Sequence, residues 1–184
     1  MKRKRMKQLM RIRNIAAAIL AIVFICGNAS VKASDQSDVR ATVQNVFEQL
    51  KSRNYDALYD FLPGASRSRM SRDRFVNSLQ RAQDFYQLDR MEIGTIKVMG
   101  NLAVVDTVLY GRVVNPIQAD GKIVVQQYLL REDGKWRVAT GDQSTVRKFL
   151  AANPGFSKQF RIQQPRLYVK QGDKWLEFNP GSRR

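Results

Sequence analysis

Near Leu88 the spacing of apolar residues changes from that of a helix to that of a strand, and this switch constrains the fold more than any other feature. Before it, Val39, Val43, Val46, Phe47 and Leu50 recur at i, i+4, i+7, i+8 and i+11, one stripe of an α-helix. Asn54 reads as the N-cap of a short helix with Tyr55, Leu58, Tyr59 and Leu62 turned inward, ended by Pro63-Gly64. Ser71 reads as the cap of a third helix, whose buried face is Phe75, Val76, Leu79 and Ala82, with Asp73 at its positive end. After the switch, Met91, Ile93 and Thr95 lead into a first strand and Gly100-Asn101 forms a hairpin turn. The β-branched run from Leu102 to Val114 is too long for a flat strand, so Gly111 is read as a bulge or bend within it. A loop from Asn115 to Gly121 precedes KIVVQQYLL, and Glu132-Asp133-Gly134 turns the chain into Trp136-Arg137-Val138-Ala139. Helices followed by an antiparallel meander define an α+β chain with its helices on one sheet face.

The first 33 residues follow a different logic. Residues 1–13 hold seven basic residues and no acid, and IAAAILAIVFIC at 15–26 is a run of twelve apolar residues. A membrane span needs about 20 apolar residues, whereas the core of an export signal needs about 7–15. Cleavage is expected near Ala33, where Val31 and Ala33 are the small flanking residues, or near Ala29. A retained single-pass inner-membrane anchor is the alternative. Ile25 is too large for lipidation of Cys26. Beyond Ala33, 24 basic residues face 16 acids, so half of the net charge of +16 belongs to the leader and no nucleic-acid partner is expected.

The 184 residues contain no His and one Cys, which removes His-based triads, His-ligated zinc and disulfide frameworks. No cofactor and no metal are expected. Asp106 interrupts an apolar strand, and counting by two sets it on one face with Leu102, Val104, Val108, Tyr110 and Arg112. A carboxylate there pairs with an Arg, Arg112 or Arg137, faces water outside the bent sheet, or has a raised pKa and can take a proton. Asp106, Tyr110, Arg112 and Trp136 are therefore the candidate ligand-binding set. Gln126, Gln127 and Tyr128 interrupt the next strand and offer polar groups to a cavity. Arg67, Arg69, Arg72 and Arg74 lie within eight residues and form a candidate anion site; they are alternatively a solvated basic loop.

The first helix, NYDALYDFL at 54–62, the third helix and the hairpinned strands ending in DGKWRVATGD resemble the nuclear transport factor two-like superfamily, the cystatin-like cone, over residues 36–143. The resemblance implies a strongly curved, mostly antiparallel, cone-like sheet wrapped around three helices. Some members are isomerases or cyclases using Asp with Tyr, and members often dimerise through the open sheet face. Residues 144–184 extend this domain: Ser144 reads as the cap of TVRKFLAA, Asn153-Pro154-Gly155 as its stop, and Arg166 to Phe178 as a last hairpin. That segment adds strands at the sheet edge or covers the mouth of the cone.

The expected function is an exported, non-catalytic protein of the bacterial cell envelope that binds a small ligand or a partner. One alternative is a membrane-anchored envelope assembly or scaffold subunit. Another is an isomerase- or cyclase-like enzyme with Asp106 as base and Tyr110 as hydrogen-bond donor. The partners expected are a small ligand or envelope protein, an anionic lipid surface at the arginine cluster, and a second copy of the chain. When the full chain is expressed in a bacterium, intact mass of the extracytoplasmic product should show an N-terminus near Ser30 or Ser34; an uncleaved, membrane-bound product would select the anchor.

Overall fold

In the computed structural model, which describes residues 34–114, 118–140 and 143–178, the first periodic stripe forms helix α1 (34–51). The expected leader at 1–33 and the loop positions 115–117 lie outside the described residues. The chain divides into two units between Ser37 and Asp38, and of the first only 34–37, the first turn of α1, is described. Among the described residues no helix is long and apolar enough to cross a membrane.

In the second unit, Val39, Val43 and Phe47 of α1 are buried. Helix α2 (Tyr55–Tyr59) buries Tyr55 and Leu58. Asn54 occupies its N-cap position, but its side chain makes no capping bond. Pro63-Gly64 does not simply stop the helix as expected. It opens a further turn, α3 (Gly64–Arg67), because Pro63 at φ −58° suits a helix entry and the Glu132 carboxylate accepts from the Gly64 N–H at 2.8 Å. Ser71 caps α4 (Arg72–Ala82) as expected, its hydroxyl accepting from the Arg74 N–H. The apolar face of α4 is only half-buried.

The sheet contains six antiparallel strands: β1 (Tyr86–Met99), β2 (Leu102–Val113), β3 (Ala119–Glu132), β4 (Lys135–Val138), β5 (Arg166–Gln171) and β6 (Lys174–Phe178). Their order is β1-β2-β3-β5-β6, with β4 also on β3. Strand β3 thus carries two neighbours along one edge: β4 beside Leu129–Glu132 and β5 beside Gly121–Val124. The last hairpin extends the sheet rather than lying across it.

The irregularity expected at Gly111 lies instead in β1. The β2–β3 ladder runs unbroken from Leu102 to Val113. In β1 the register shifts between Leu88 and Arg90 and again between Ile93 and Ile96, and these bulges curl the strand. Gly111 is required for a different reason: a Cβ there would lie 2.4 Å from the Gln87 carbonyl oxygen of the curled partner.

Helices cover both sheet faces, not one. On the first, Ala103, Val105, Leu129, Trp136 and Val138 pack with Val39 and Val43 of α1. On the second, Val104 and Tyr128 lie beneath Phe149 of α5 (Gln143–Ala152) and Phe156 of α6 (Pro154–Gln159). Ser144 lies inside α5 instead of capping it; α5 ends at Ala152, before Asn153-Pro154-Gly155 as expected, and Pro154 at the first turn also starts α6. Rings of Phe149, Phe156 and Phe160 meet edge to face at 5.5 and 4.7 Å. Each such buried aromatic contributes about 1.5–3 kcal/mol by removal from water.

Gly111→Ala should lower stability by about 1–3 kcal/mol in urea unfolding, because the β1 backbone must shift. Gly155→Ala, with open space around its Cβ in α6, should be neutral or stabilising. Equal effects of the two changes would remove the close-approach argument.

Candidate functional site

Alternation along the strands sorts the uncovered half of the sheet into two chemically different faces. On the α1 side, register sets Leu109 beside Ile123, and Ile123 beside Leu167. Gly111 stands opposite Gly121 in the same layer, and the place a Cβ would take at Gly111 is held by the Gln87–Leu88 backbone of β1. Leu50 at the end of α1, Phe85, Tyr86 and Leu88 complete the walls of a chamber of 390 Å³. Phe85 and Ile123 remain 53% and 37% exposed, which marks the chamber as open to solvent rather than a closed core. Burial pushes the Tyr86 phenol above its ordinary value, with Tyr55 adding to the effect.

The other face carries charged and aromatic side chains. The Arg90 guanidinium lies 3.5 Å from the centroid of Tyr110 and pairs with Glu92, which also accepts from the Tyr110 hydroxyl at 3.1 Å. The Arg90 bond, then the Tyr110 bond, holds the Glu92 carboxyl below the usual carboxylate range. Trp175 meets Tyr110 edge to face at 6.3 Å, and the Lys122 ammonium sits 4.7 Å from Trp175 and 5.2 Å from Tyr168. A groove of 440 Å³ runs along this face, with Arg90, Tyr110, Arg112, Asp120, Lys170 and Trp175 in its walls.

The residues singled out from the sequence do not converge on one place. Asp106, half-buried, accepts from the Gln126 amide at 3.0 Å and pairs with neither Arg112 nor Arg137. Arg112 lies six residues along the strand, roughly 20 Å away, and Arg137 donates to the Asp60 carbonyl. Tyr110 shares the face of Asp106 but stands four residues off, roughly 13 Å, with its hydroxyl committed to Glu92. The Asp–Tyr pair of the enzyme alternative is therefore not assembled. Trp136 is buried in the α1-side core, beneath the Arg131 guanidinium, on the face opposite Asp106.

Gln126 is the polar centre that sequence reasoning underweighted. Its amide donates to Asp106 and to the Arg161 carbonyl at 3.1 Å; its carbonyl accepts from the Tyr128 hydroxyl at 3.1 Å and the Gln163 N–H at 2.9 Å. Burial pushes the Tyr128 phenol up, and the Asp106 charge adds to it. Gln127 faces the other way and donates to Thr107 at 3.3 Å.

The four arginines do not form one site, although Arg67 and Arg72 both act on the Asp60 carboxyl. Arg67 belongs to α3, and Arg69 donates to Thr145 between helices. Arg72 pairs with Asp60 at 2.6 Å, donates to the Asp56 carbonyl and covers the Tyr59 ring at 4.6 Å. Its hydrogen bond holds the Asp60 carboxyl below the usual range. Arg74 is exposed on α4. A common anion would have to displace these bonds.

The residues that the alternation pattern could have supplied are Arg90 and Glu92, two apart and hence on one face, and the Gly111–Gly121 pair. Their partners depend on register, which composition does not encode.

No protein-family model matches the chain, and no curated protein matches it. Among solved structures, the chain is similar to the solution structure of a SEC-C motif containing protein from Rhodopseudomonas palustris. That likeness has a TM-score of 0.44 and 9% identity, over 53% of this chain and 72% of that chain.

Gln126→Leu should cost about 1–3 kcal/mol in urea unfolding, because it strands the Tyr128, Arg161 and Gln163 polar groups. Asp106→Asn keeps an oxygen acceptor for Gln126 and should leave the midpoint nearly unchanged. A large loss for Asp106→Asn with none for Gln126→Leu would move the centre of the network to the carboxylate.

Proposed function

We propose that this chain is an extracytoplasmic binding protein that holds a small apolar ligand in the chamber between the end of α1 and strands β1, β2, β3 and β5. The observation that carries this reading is the chamber itself: 390 Å³ walled by Leu50, Phe85, Leu88, Leu109, Val113, Ile123 and Leu167. Its volume falls in the range of small-molecule sites, and a mostly apolar lining is what such sites require. The cone-like form of the nuclear transport factor two-like superfamily belongs to the same proposal. A curled antiparallel sheet with a helix against its inner face supports it. Export is supported by the seven cations followed by twelve apolar residues at the start of the chain.

The binding reading is favoured over the enzyme alternative because Asp106 serves Gln126, and the Tyr110 hydroxyl serves Glu92. The scaffold alternative places a partner on the apolar surface that continues past the chamber through Leu176 and Phe178, 45% and 48% exposed.

A neutral apolar fluorophore, N-phenyl-1-naphthylamine, should bind the purified protein with enhanced emission. Ile123→Arg, at a partly exposed wall position, should weaken that binding by about tenfold or more, an amount worth about 1.4 kcal/mol, without changing the unfolding midpoint. Unaltered emission from the variant would place the probe elsewhere and overturn the assignment.

A further inference from the structure

A strand with an open side leaves backbone donors and acceptors to be accounted for. Among the described residues, β1, β4 and β6 each have such a side. Strand β1 loses its register twice. Strand β4 is closed by the segment after α2, because the Val138 N–H donates to the Phe61 carbonyl at 2.7 Å. Strand β6 has neither device. It keeps an unbroken register with β5 from Lys174 to Phe178, contains no proline, and leaves Leu176 and Phe178 exposed.

The turn before β6 decides which of its backbone groups point outward. Gly172, at φ 57°, and Asp173 form a two-residue loop, so Gln171 and Lys174 are the hydrogen-bonded pair that closes the hairpin. Bonded and non-bonded pairs then alternate. Lys174, Leu176 and Phe178 direct their backbone groups to β5, and Trp175 and Glu177 direct theirs to the open side. The β3–β4 hairpin, closed in the same way by Glu132 and Lys135, obeys this count: it sets the Val138 N–H on the outer side, where Phe61 meets it.

We propose that β6 pairs antiparallel with β6 of a second copy of this chain, about a two-fold axis through Leu176. In that register Trp175 lies opposite Glu177 of the second copy, and the two exchange N–H···O=C bonds in both directions. Every outward donor and acceptor of both strands is then used. Leu176 meets its own counterpart in the close, non-hydrogen-bonded position, so two exposed apolar side chains cover each other. Lys174 falls opposite Phe178, and no like charges meet. Moving the axis to Trp175 strands the Glu177 groups, and moving it to Glu177 sets two carboxylates face to face. The strand is therefore complementary to itself in one register. The contact lies on a border of the sheet, so it stands whether or not the chamber holds a ligand.

A single strand pair makes a small interface of the transient class, so sedimentation of the purified protein should show a monomer–dimer equilibrium between about 1 µM and 1 mM. Glu177→Pro removes an outward N–H that β5 does not use, and Leu176→Lys sets two ammonium groups across the axis. Each should weaken dimerisation by about tenfold or more and leave the unfolding midpoint nearly unchanged. Cross-linking reads the register without relying on either variant. In a Cys26→Ser background, Leu176→Cys should oxidise to a disulfide-linked dimer. Phe178→Cys, as exposed and on the same face, would lie roughly 14 Å from its counterpart and should stay uncross-linked. A monomer throughout the concentration range, or equal cross-linking of Leu176→Cys and Phe178→Cys, would overturn the pairing. A dimer undiminished by both Glu177→Pro and Leu176→Lys would also overturn it, and would move the contact to the open sheet face.

Discussion

Strand β3 is fourteen residues long, but no single strand covers its outer edge; β4 takes one end and β5 the other. The segment between them must be satisfied by something other than a ladder. Beside that segment the Gln126 side chain ties Asp106, Tyr128 and the linker from Arg161 to Gln163 together, using both amide hydrogens and two acceptor positions on its carbonyl oxygen, while the edge itself is met by backbone groups. Tyr128 meets it with its backbone, its N–H donating to the Thr140 hydroxyl and its carbonyl accepting from Ala139. A buried amide with every valence used is both strong and intolerant, because each lost partner leaves another polar group stranded in a low-dielectric interior. The linker from Arg161 to Gln163 is fixed by this clasp, and with it the position from which β5 enters the sheet. The far wall of the chamber, Leu167, is therefore placed by an amide on the opposite face.

Much of the fold was readable in the sequence, and the failures have a common cause. The α1 stripe, the Ser71 cap, the Gly100-Asn101 and Asp133-Gly134 turns and the α+β class follow from local periodicity and backbone preference. Gly111 was misread because the glycine answers a constraint from β1: the backbone that would collide with its Cβ belongs to the neighbouring strand. Pro63-Gly64 and Pro154-Gly155 do separate helices, but proline also fits a first helical turn, so each opens the next helix as well, with the Glu132 carboxylate accepting from Gly64 in the first case. The covering of the second face by α5 and α6 had its signal in β2, which is apolar on both faces as strands covered on both sides are.

The candidate site was legible only in fragments. Parity along β2 set Asp106 and Tyr110 on one face correctly, but a shared face is not proximity when strands rise about 3.3 Å per residue. Cross-strand register supplied what was missing, assigning Tyr110 to Glu92 and Asp106 to Gln126. The same register brings Gly111 and Gly121 face to face, where the absent side chains let the β1 backbone and Val113 close in. The arginine cluster illustrates the converse: neighbours in sequence took separate partners once two helices and the link between them divided its members.

The bulges in β1 have an effect beyond curvature. This strand is an outer edge of the sheet, and its fourteen residues would otherwise present a long, regular row of free amides and carbonyls to any second extended chain. The two register shifts break that row into short, twisted pieces, and Arg90, Glu92 and Lys97 add charges along the strand. A template so interrupted is a poor seed for cross-β growth. The deformation that curls the sheet also divides its fourteen-residue outer strand into shorter segments.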